Sequence, residues 1–448
     1  MNDQYDRRDF LKTSATAGLG LGLAAALPSL LRADTPADPG DKVRLAVIGT
    51  NNRGLDHIEA LGGIDGAEIA YICDVSDVAL AKGVKQAADT APGSQPVAIK
   101  DFRRALDDKS VDAITIAVPD HWHTPMAILA LAAGKHVYVE KPCSQNPHEG
   151  ELLLGAIARY GKLVQMGNQR RSFPNMQVAA KEIRDGIIGK AYYAKGWYDN
   201  NRLSIGRGTV VPVPPTLDYE LWQGPAPRRP YKSNVIPYNW HWFWHWGTGE
   251  ALNNGTHELD VCRWVLGVSF PTKVGSTGGR YQFRDDWQTP DTQVIGWDFA
   301  EEKSISWEGR SCNDFPTEGL SRGAMIYGTE GTAILENNNY TVFDKKRKKV
   351  KALVEPAEAE GTNTGSANGV RLDRLHVQNF VDAIRTGVPL TSPIAEGHKS
   401  TTLLHLGNIS WRTGRMLDCD PANGHIRHDE EAMKLWGRTY EPGWEPKV

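Results

Sequence analysis

The sequence predicts an α/β protein in two parts: an N-terminal doubly wound parallel sheet, then an α+β domain with a large, mostly antiparallel open sheet. Three observations predict it. Apolar runs alternate with amphipathic stretches from residue 43 to 166, the cadence of parallel strands joined by crossover helices. The first run closes on a glycine turn at Gly49, at the strand end where doubly wound sheets bind ligands. After about Gly167, short strand-like runs separated by turns and glycines take over, which suits antiparallel pairing.

Taken in order, Val43 to Ile48 is a buried strand, Arg53 to Leu61 a helix, Glu68 to Ile72 a strand and Asp77 to Ala88 a helix. Val111 to Val118 is a strong buried strand, His123 to Ala133 a helix closed by Gly134, and His136 to Val139 a strand. Pro147 to Tyr160 is a helix and Lys162 to Met166 the last strand of this part. Beyond it, strands are expected at Ala191–Tyr198, Thr292–Phe299, Ser304–Glu308, Thr332–Leu335 and Tyr340–Phe343. Helices are expected at Asn175–Arg184, His257–Val265, Arg371–Arg385 and Glu396–Arg412, the last two closed by Gly387 and Gly414. Glu355 to Asn368 reads as a mobile loop, and the tail 416–448 as irregular. The domains are therefore 43–166 and 167–415.

The 448 residues carry a net charge of −3, with 40% hydrophobic and 23% charged side chains, so no global field favours nucleic acid or a membrane surface. The one basic run, Lys345 to Lys349, reads as a solvated hairpin or loop. Five cysteines lie scattered, without CxxC or metal-ligand spacing, and no metal is expected. The N-terminus differs from the rest. Arg7-Arg8-Asp9-Phe10-Leu11-Lys12 matches the twin-arginine export signal, and a weakly apolar, Gly- and Ala-rich stretch to Leu31 follows. Residues 1–33 are read as that signal and 34–42 as a linker, giving an exported, periplasmic protein, or a membrane-anchored one if the signal is uncleaved. The export machinery is then a partner.

The run Leu45 to Gly54 is a strand-turn-helix with Gly49, Asn51 and Gly54 at the three fingerprint positions of a dinucleotide site. Asn51 replaces the middle glycine. Asn tolerates left-handed backbone, yet its side chain would crowd the pyrophosphate. Asp74 ends the next strand, twenty residues after Gly54, placed to bond both ribose hydroxyls. With no arginine just beyond it, NAD is preferred to NADP.

Three more segments carry a likeness: Val118-Pro119-Asp120-His121-Trp122-His123, Gly134 to Pro142 with its Glu140-Lys141-Pro142, and Asn254-Gly255-Thr256-His257-Glu258-Leu259-Asp260. With the glycine turn, they resemble the Gfo/Idh/MocA oxidoreductases, over roughly residues 43 to 415. The twin-arginine signal and the run Trp240 to Trp246 are similar to an exported branch of that family. The resemblance implies NAD(P)-dependent chemistry on sugars, cyclitols or their derivatives, with Lys141 and His257 at the centre. It also implies that Asn52, Arg53, Asp74, Pro119, His121, Trp122, His123, Glu140, Lys141 and Asn168 line the cofactor, and that Asn254 to His257 touch the sugar. Many family dehydrogenases have an aspartate four residues before the histidine; here that place is Asn253. NAD-dependent glycosidases share the fold, so net glycoside hydrolysis or elimination is the alternative to net oxidation.

The chemistry suits these residues. Oxidising an alcohol needs a base for the hydroxyl proton, and a lysine that is partly desolvated beside a cationic ring loses basicity toward neutrality. The bland reading of Lys141 is a surface lysine in a Pro-terminated turn. His257, near a helix start with Asn253 on its face, is an acid, a base or a hydroxyl ligand; Asp260 can orient it or pair with Arg263. Arg170 and Arg171 sit at the domain seam, for a carboxylate or hydroxyls, or for an inter-domain ion pair. Among the aromatic run, Trp244 and His245 are candidates for stacking on a sugar ring. Export of a folded protein implies tightly held NAD, and the resemblance implies a carbohydrate substrate. A homodimer or homotetramer is expected, and a non-catalytic sugar-binding protein is the rival of a different class.

Overall fold

The computed structural model describes residues 42–91, 93–355 and 367–448. The signal, most of the linker and most of the loop 355–368 lie outside the described residues. Strands β1 (Val43–Ile48), β2 (Ala67–Cys73), β3 (Val97–Ile99), β4 (Ala113–Ile116), β5 (His136–Val139) and β6 (Val164–Met166) form one parallel sheet in the order β3-β2-β1-β4-β5-β6. Chain direction across the sheet reverses between β1 and β4, and the crevice beyond their C-terminal ends is where such folds take ligands. Helices α1 (Arg53–Gly62), α2 (Asp77–Thr90), α3 (Arg103–Asp107), α4 (Asp120–Ala132) and α5 (Pro147–Tyr160) connect them. α5 shows why boundaries were legible. Asn146 caps it by accepting from the Glu149 amide, Pro147 opens it, and Gly161 ends it in left-handed geometry. α4 begins at Asp120 rather than His123. The polar run reads as a loop, yet its His and Trp side chains are buried in the first turn.

The second sheet has ten strands: β7 (Ala191–Asp199), β8 (Lys273–Gly279), β9 (Thr292–Phe299), β10 (Lys303–Arg310), β11 (Arg322–Gly328), β12 (Gly331–Glu336), β13 (Asn339–Asp344), β14 (Lys349–Leu353), β15 (Leu417–Cys419) and β16 (Ile426–Arg427). Its order is β14-β13-β12-β11-β7-β10-β9-β8-β15-β16, and only β7 and β10 pair in parallel. The basic run is the exposed turn of the β13–β14 hairpin. Helices α6 (Pro174–Arg184), α7 (Tyr219–Gln223), α8 (Gly249–Asn253), α9 (Gly255–Leu266), α10 (Ala367–Thr386), α11 (Ile394–Thr413) and α12 (Glu430–Met433) accompany it. On β9 and β10, Ile295, Trp297, Ile305 and Trp307 point inward and join Leu259 and Val265 of α9 and Leu403 of α11 in one core, the alternation of a half-buried sheet.

Two expectations need correction. The segment 167–415 is not one substrate domain, because α10 returns to the parallel sheet: Val377, Phe380 and Val381 join Val43, Leu45, Ile58 and Tyr138 in its core. The tail 416–448 is not irregular. It adds β15, β16 and α12, and buries Trp436 in the second core while Trp444 packs on the first. No helix among the described residues is long and apolar enough to cross a membrane.

Candidate functional site

A cavity of about 1180 Å³ runs from the glycine turn across the β1/β4 crevice to α9 and the β12–β13 turn. Its cofactor end is built by exclusion. Gly49 has φ +86°, and a Cβ there would lie 2.5 Å from the Ala117 carbonyl oxygen; one on Gly54 would lie 1.7 Å from the Gly49 oxygen. Only glycine lets α1 start this close to β1. Gly54 is buried and lies outside the cavity lining. Asn51 is exposed and is not among the left-handed residues; its Oδ1 accepts from Lys82 Nζ at 3.3 Å. The turn survives without a middle glycine because that side chain swings out, not because it adopts left-handed backbone. Asp74 Oδ2 accepts from the Thr50 amide at 2.7 Å and Oδ1 from the Ser76 amide at 2.8 Å. Burial pushes its carboxyl up, opposed by those bonds and Lys82. A crevice that excludes Cβ atoms at the turn and places an acid at the end of β2 fits a dinucleotide.

A strap from the second domain covers this end. Leu217 bridges Ser76, the Asp77 amide donates to Thr216 O at 2.8 Å, and the Asp218 amide donates to Val75 O at 2.9 Å. Trp122 Nε1 donates to Leu221 O and Trp222 O, and His121 Nε2 lies 3.0 Å from Trp222 O. Pro119, Trp122 and His123 line the cavity, with His123 held between Val118 O and Pro142 O. His121, expected at the cofactor, instead anchors the strap, and burial pushes its pKa well below the usual range.

Glu140 is a hub. Oε1 accepts from Arg53 Nε (2.8 Å), His57 Nε2 (3.1 Å) and Gln169 Nε2 (3.1 Å), and Oε2 from the Lys141 amide. Burial opposes ionisation, but Arg53 and His57 hold the carboxyl well below its usual range. Arg53 also pairs with Asp56 and with Asp373 of α10, so it lines the cavity while tying α10 to the turn. Lys141, preceding a cis proline, donates Nζ to Asn253 O at 2.7 Å and Oδ1 at 3.2 Å. Burial lowers its pKa, against Glu140 and Asp120. Asn253 thus serves Lys141 rather than His257; its Nδ2 and that of Asn254 both reach Glu250 Oε1. His257 lines the cavity one turn on, pushed well below the usual imidazole range by burial, Arg322 and Lys141.

The structure brings together Gly49, Asn51, Asn52, Arg53, Asp74, Pro119, Trp122, His123, Glu140, Lys141, Arg170, Asn253, Asn254 and His257. It keeps others away. Arg171 forms a buried two-bond ion pair with Asp260 (2.7 and 2.9 Å), and Arg263 pairs with Glu396 at 2.6 Å and, as its spacing suggests, with Asp260 at 4.0 Å; Asp260 therefore orients neither histidine nor substrate. Trp244 stacks near Trp411 under Arg412. His245 Nε2 faces Pro227 O, with its pKa lowered by burial to about 4. Asn168 is buried off the cavity, and neither polar atom of its side chain has a partner among the described residues. The aromatic run sends Trp240 and His241 to the cavity instead, because a short 3-10 turn at Asn239–Trp242 points them inward. Their rings stack with centroids 3.5 Å apart. Arg322 was missed altogether: a single arginine opening β11 gives no local signal.

Residues 43–168 match the profile of an oxidoreductase family with an NAD-binding Rossmann fold, Gfo/Idh/MocA, and residues 194–310 match its C-terminal α/β domain. A glycosyl hydrolase family 109 protein 2 of Shewanella sp. (strain ANA-3) is 34% identical over 351 residues, 73% of each chain. A glycosyl hydrolase family 109 protein of Saccharopolyspora erythraea is 32% identical over 214 residues; that alignment spans 44% of this chain and only 46% of the relative. In fold, a levoglucosan dehydrogenase solved with NADH and L-sorbose superposes with a TM-score of 0.67 at 17% identity, covering 84% of this chain and 99% of that one. The chain belongs to the Gfo/Idh/MocA oxidoreductases, a family with an NAD-binding Rossmann domain and a C-terminal α/β domain.

Proposed function

We propose that the protein acts at a hydroxyl-bearing ring carbon of a carbohydrate, is exported by its twin-arginine signal, and retains NAD between turnovers. One observation carries the reading: a desolvated lysine, Lys141, held by Asn253 in the same cavity as the glycine turn. The backbone at Gly49 and Asn52 would hold the pyrophosphate at the start of α1, Asp74 the ribose, and Pro119, Trp122 and His123 the crevice side. When bound, NAD supplies a two-electron acceptor and donor. Lys141 takes the hydroxyl proton, its basicity reduced by burial. His257, kept neutral, accepts from or donates to a neighbouring hydroxyl, and the stacked Trp240–His241 pair offers an aromatic face to the ring.

The relatives named glycosyl hydrolase favour a second reading within the first: net glycoside cleavage, with the cofactor's redox state unchanged over a cycle. Export supports it, since a folded protein outside the cytoplasm depends on the nucleotide it carries, and the strap over the β2 end supports retention. The outer sheet face, with Val294 exposed and Tyr193 stacked on Tyr327, suits a homodimer or homotetramer. The test is to purify the exported protein, denature it and identify released nucleotide by mass spectrometry, then assay glycosides without added NAD. Bound NAD with glycoside turnover is expected. No nucleotide, and no binding on adding NAD back, would leave a sugar-binding protein.

A further inference from the structure

The wall of the cavity beside His257 holds an arrangement the proton chemistry does not use. Arg170, from the 3-10 turn after β6, and Arg322, opening β11, converge on Glu258, the residue after His257. Arg170 Nη2 lies 3.1 Å from Glu258 Oε1, and Arg322 Nη2 and Nε lie 2.7 and 2.9 Å from the same oxygen. The arginine side chains are 8% and 11% exposed, and Glu258 is fully buried. Two guanidinium groups therefore share one carboxylate oxygen. Both residues line the cavity, while the second oxygen of Glu258 is buried without a partner among the described residues. Burial and Arg322 pull Arg170 below the usual guanidinium range, against Glu258 and Glu336. Glu336, the second acid acting on Arg170, has its oxygens occupied by the side-chain amides of Asn337 and Asn339. Arg322 is steadied over the Tyr198 ring at 5.2 Å.

Two planar guanidinium groups lining one cavity corner match a planar two-oxygen anion better than a hydroxyl, because guanidinium–carboxylate pairs bond through two parallel N–H groups. We propose that this corner is an anion subsite that seats a sugar-borne carboxylate, as in a uronic acid residue, against Arg170 and Arg322. The assignment rests on the carbohydrate reading above. It makes the preferred substrate a uronide, with the carboxylate seated beside His257.

The test is calorimetric binding to the purified holoprotein with matched methyl glycosides: glucuronide against glucoside, galacturonide against galactoside, and glucoside 6-sulfate as a tetrahedral anion. One uronide should bind about tenfold more tightly than its neutral partner at low salt, and salt should shrink the gap. Arg322→Gln should bring that preference down to about threefold or less with NAD content unchanged, whereas Arg322→Lys, which keeps the charge but loses the fork, should retain part of it. The wild-type comparison stands even if a variant misfolds. Neutral sugars bound as tightly as uronides would overturn the subsite and leave the carbohydrate reading intact, as would preference for the sulfate over the uronide. No binding by any member of the set would overturn both.

Discussion

Asn253 stands four residues before His257, where spacing suggests a partner for the histidine, yet both of its oxygens hold Lys141. This gives a prediction with a sign. Asn253→Asp places a carboxylate against the ammonium, which favours the charged form and raises the lysine pKa. The pH profile of kcat/KM should move alkaline by about one unit, and an unmoved profile would detach Lys141 from proton transfer. At the turn, Gly54→Ala puts a methyl where the Gly49 oxygen sits, so nucleotide recovered from the purified protein should fall to a small fraction of wild type. Gly49, Gly54, Asp74, Lys141 and His257 were legible because each sits at a fixed offset from a strand or helix end. Arg322 and His241 were not: Arg322 is placed by Glu258, 64 positions away, and His241 by a short 3-10 turn that leaves no periodic pattern in the sequence.

At the scale of elements, periodicity gave most of the parallel sheet and half of the second one. β8, with three glycines in seven residues, and the three-residue β3 carry too few apolar side chains to show alternation. Helix α10 was legible as a helix but not in its placement: its apolar face can serve either core, and only the folded chain shows it against Tyr138 and Ile58. Phe380→Ala should therefore cost about 3–5 kcal/mol and, on chemical denaturation, loosen the nucleotide domain although the residue lies far along the chain. The strap gives a kinetic prediction. The Asp218 side chain caps α7 by accepting from the Leu221 amide at 2.9 Å, and Asp218→Ala should cost about 1 kcal/mol of local stability. Release of bound NAD should quicken, read by exchange against labelled nucleotide; an unchanged release rate would remove the strap from cofactor retention.

Across the whole molecule, buried neutral histidines set the acid limit. Burial lowers His376 and His398 to about 4 and His405 to about 3; His376 bonds Met166 O and Ser172, and His405 bonds Ser144 O. The unfolded chain takes up these protons near 6.5 and the folded one does not. Stability is therefore complete above about pH 6.5 and is lost as pH falls toward 4, at about 1.4 kcal/mol per unit per histidine. Glu396, pulled to about 2 by Arg263 and Lys399 against its burial, adds to the loss only below the ordinary carboxylate range. His376→Gln should flatten the slope of Tm between pH 6 and 4, whatever it does to Tm at neutrality.

The most direct test of the central claim is the turnover rate of Lys141→Ala, measured on the best carbohydrate substrate with bound NAD quantified in the same sample. A loss of about 10²–10⁴-fold with NAD still stoichiometric is the predicted result. A rate near wild type with full cofactor would contradict the assignment of Lys141 as the group that takes the hydroxyl proton.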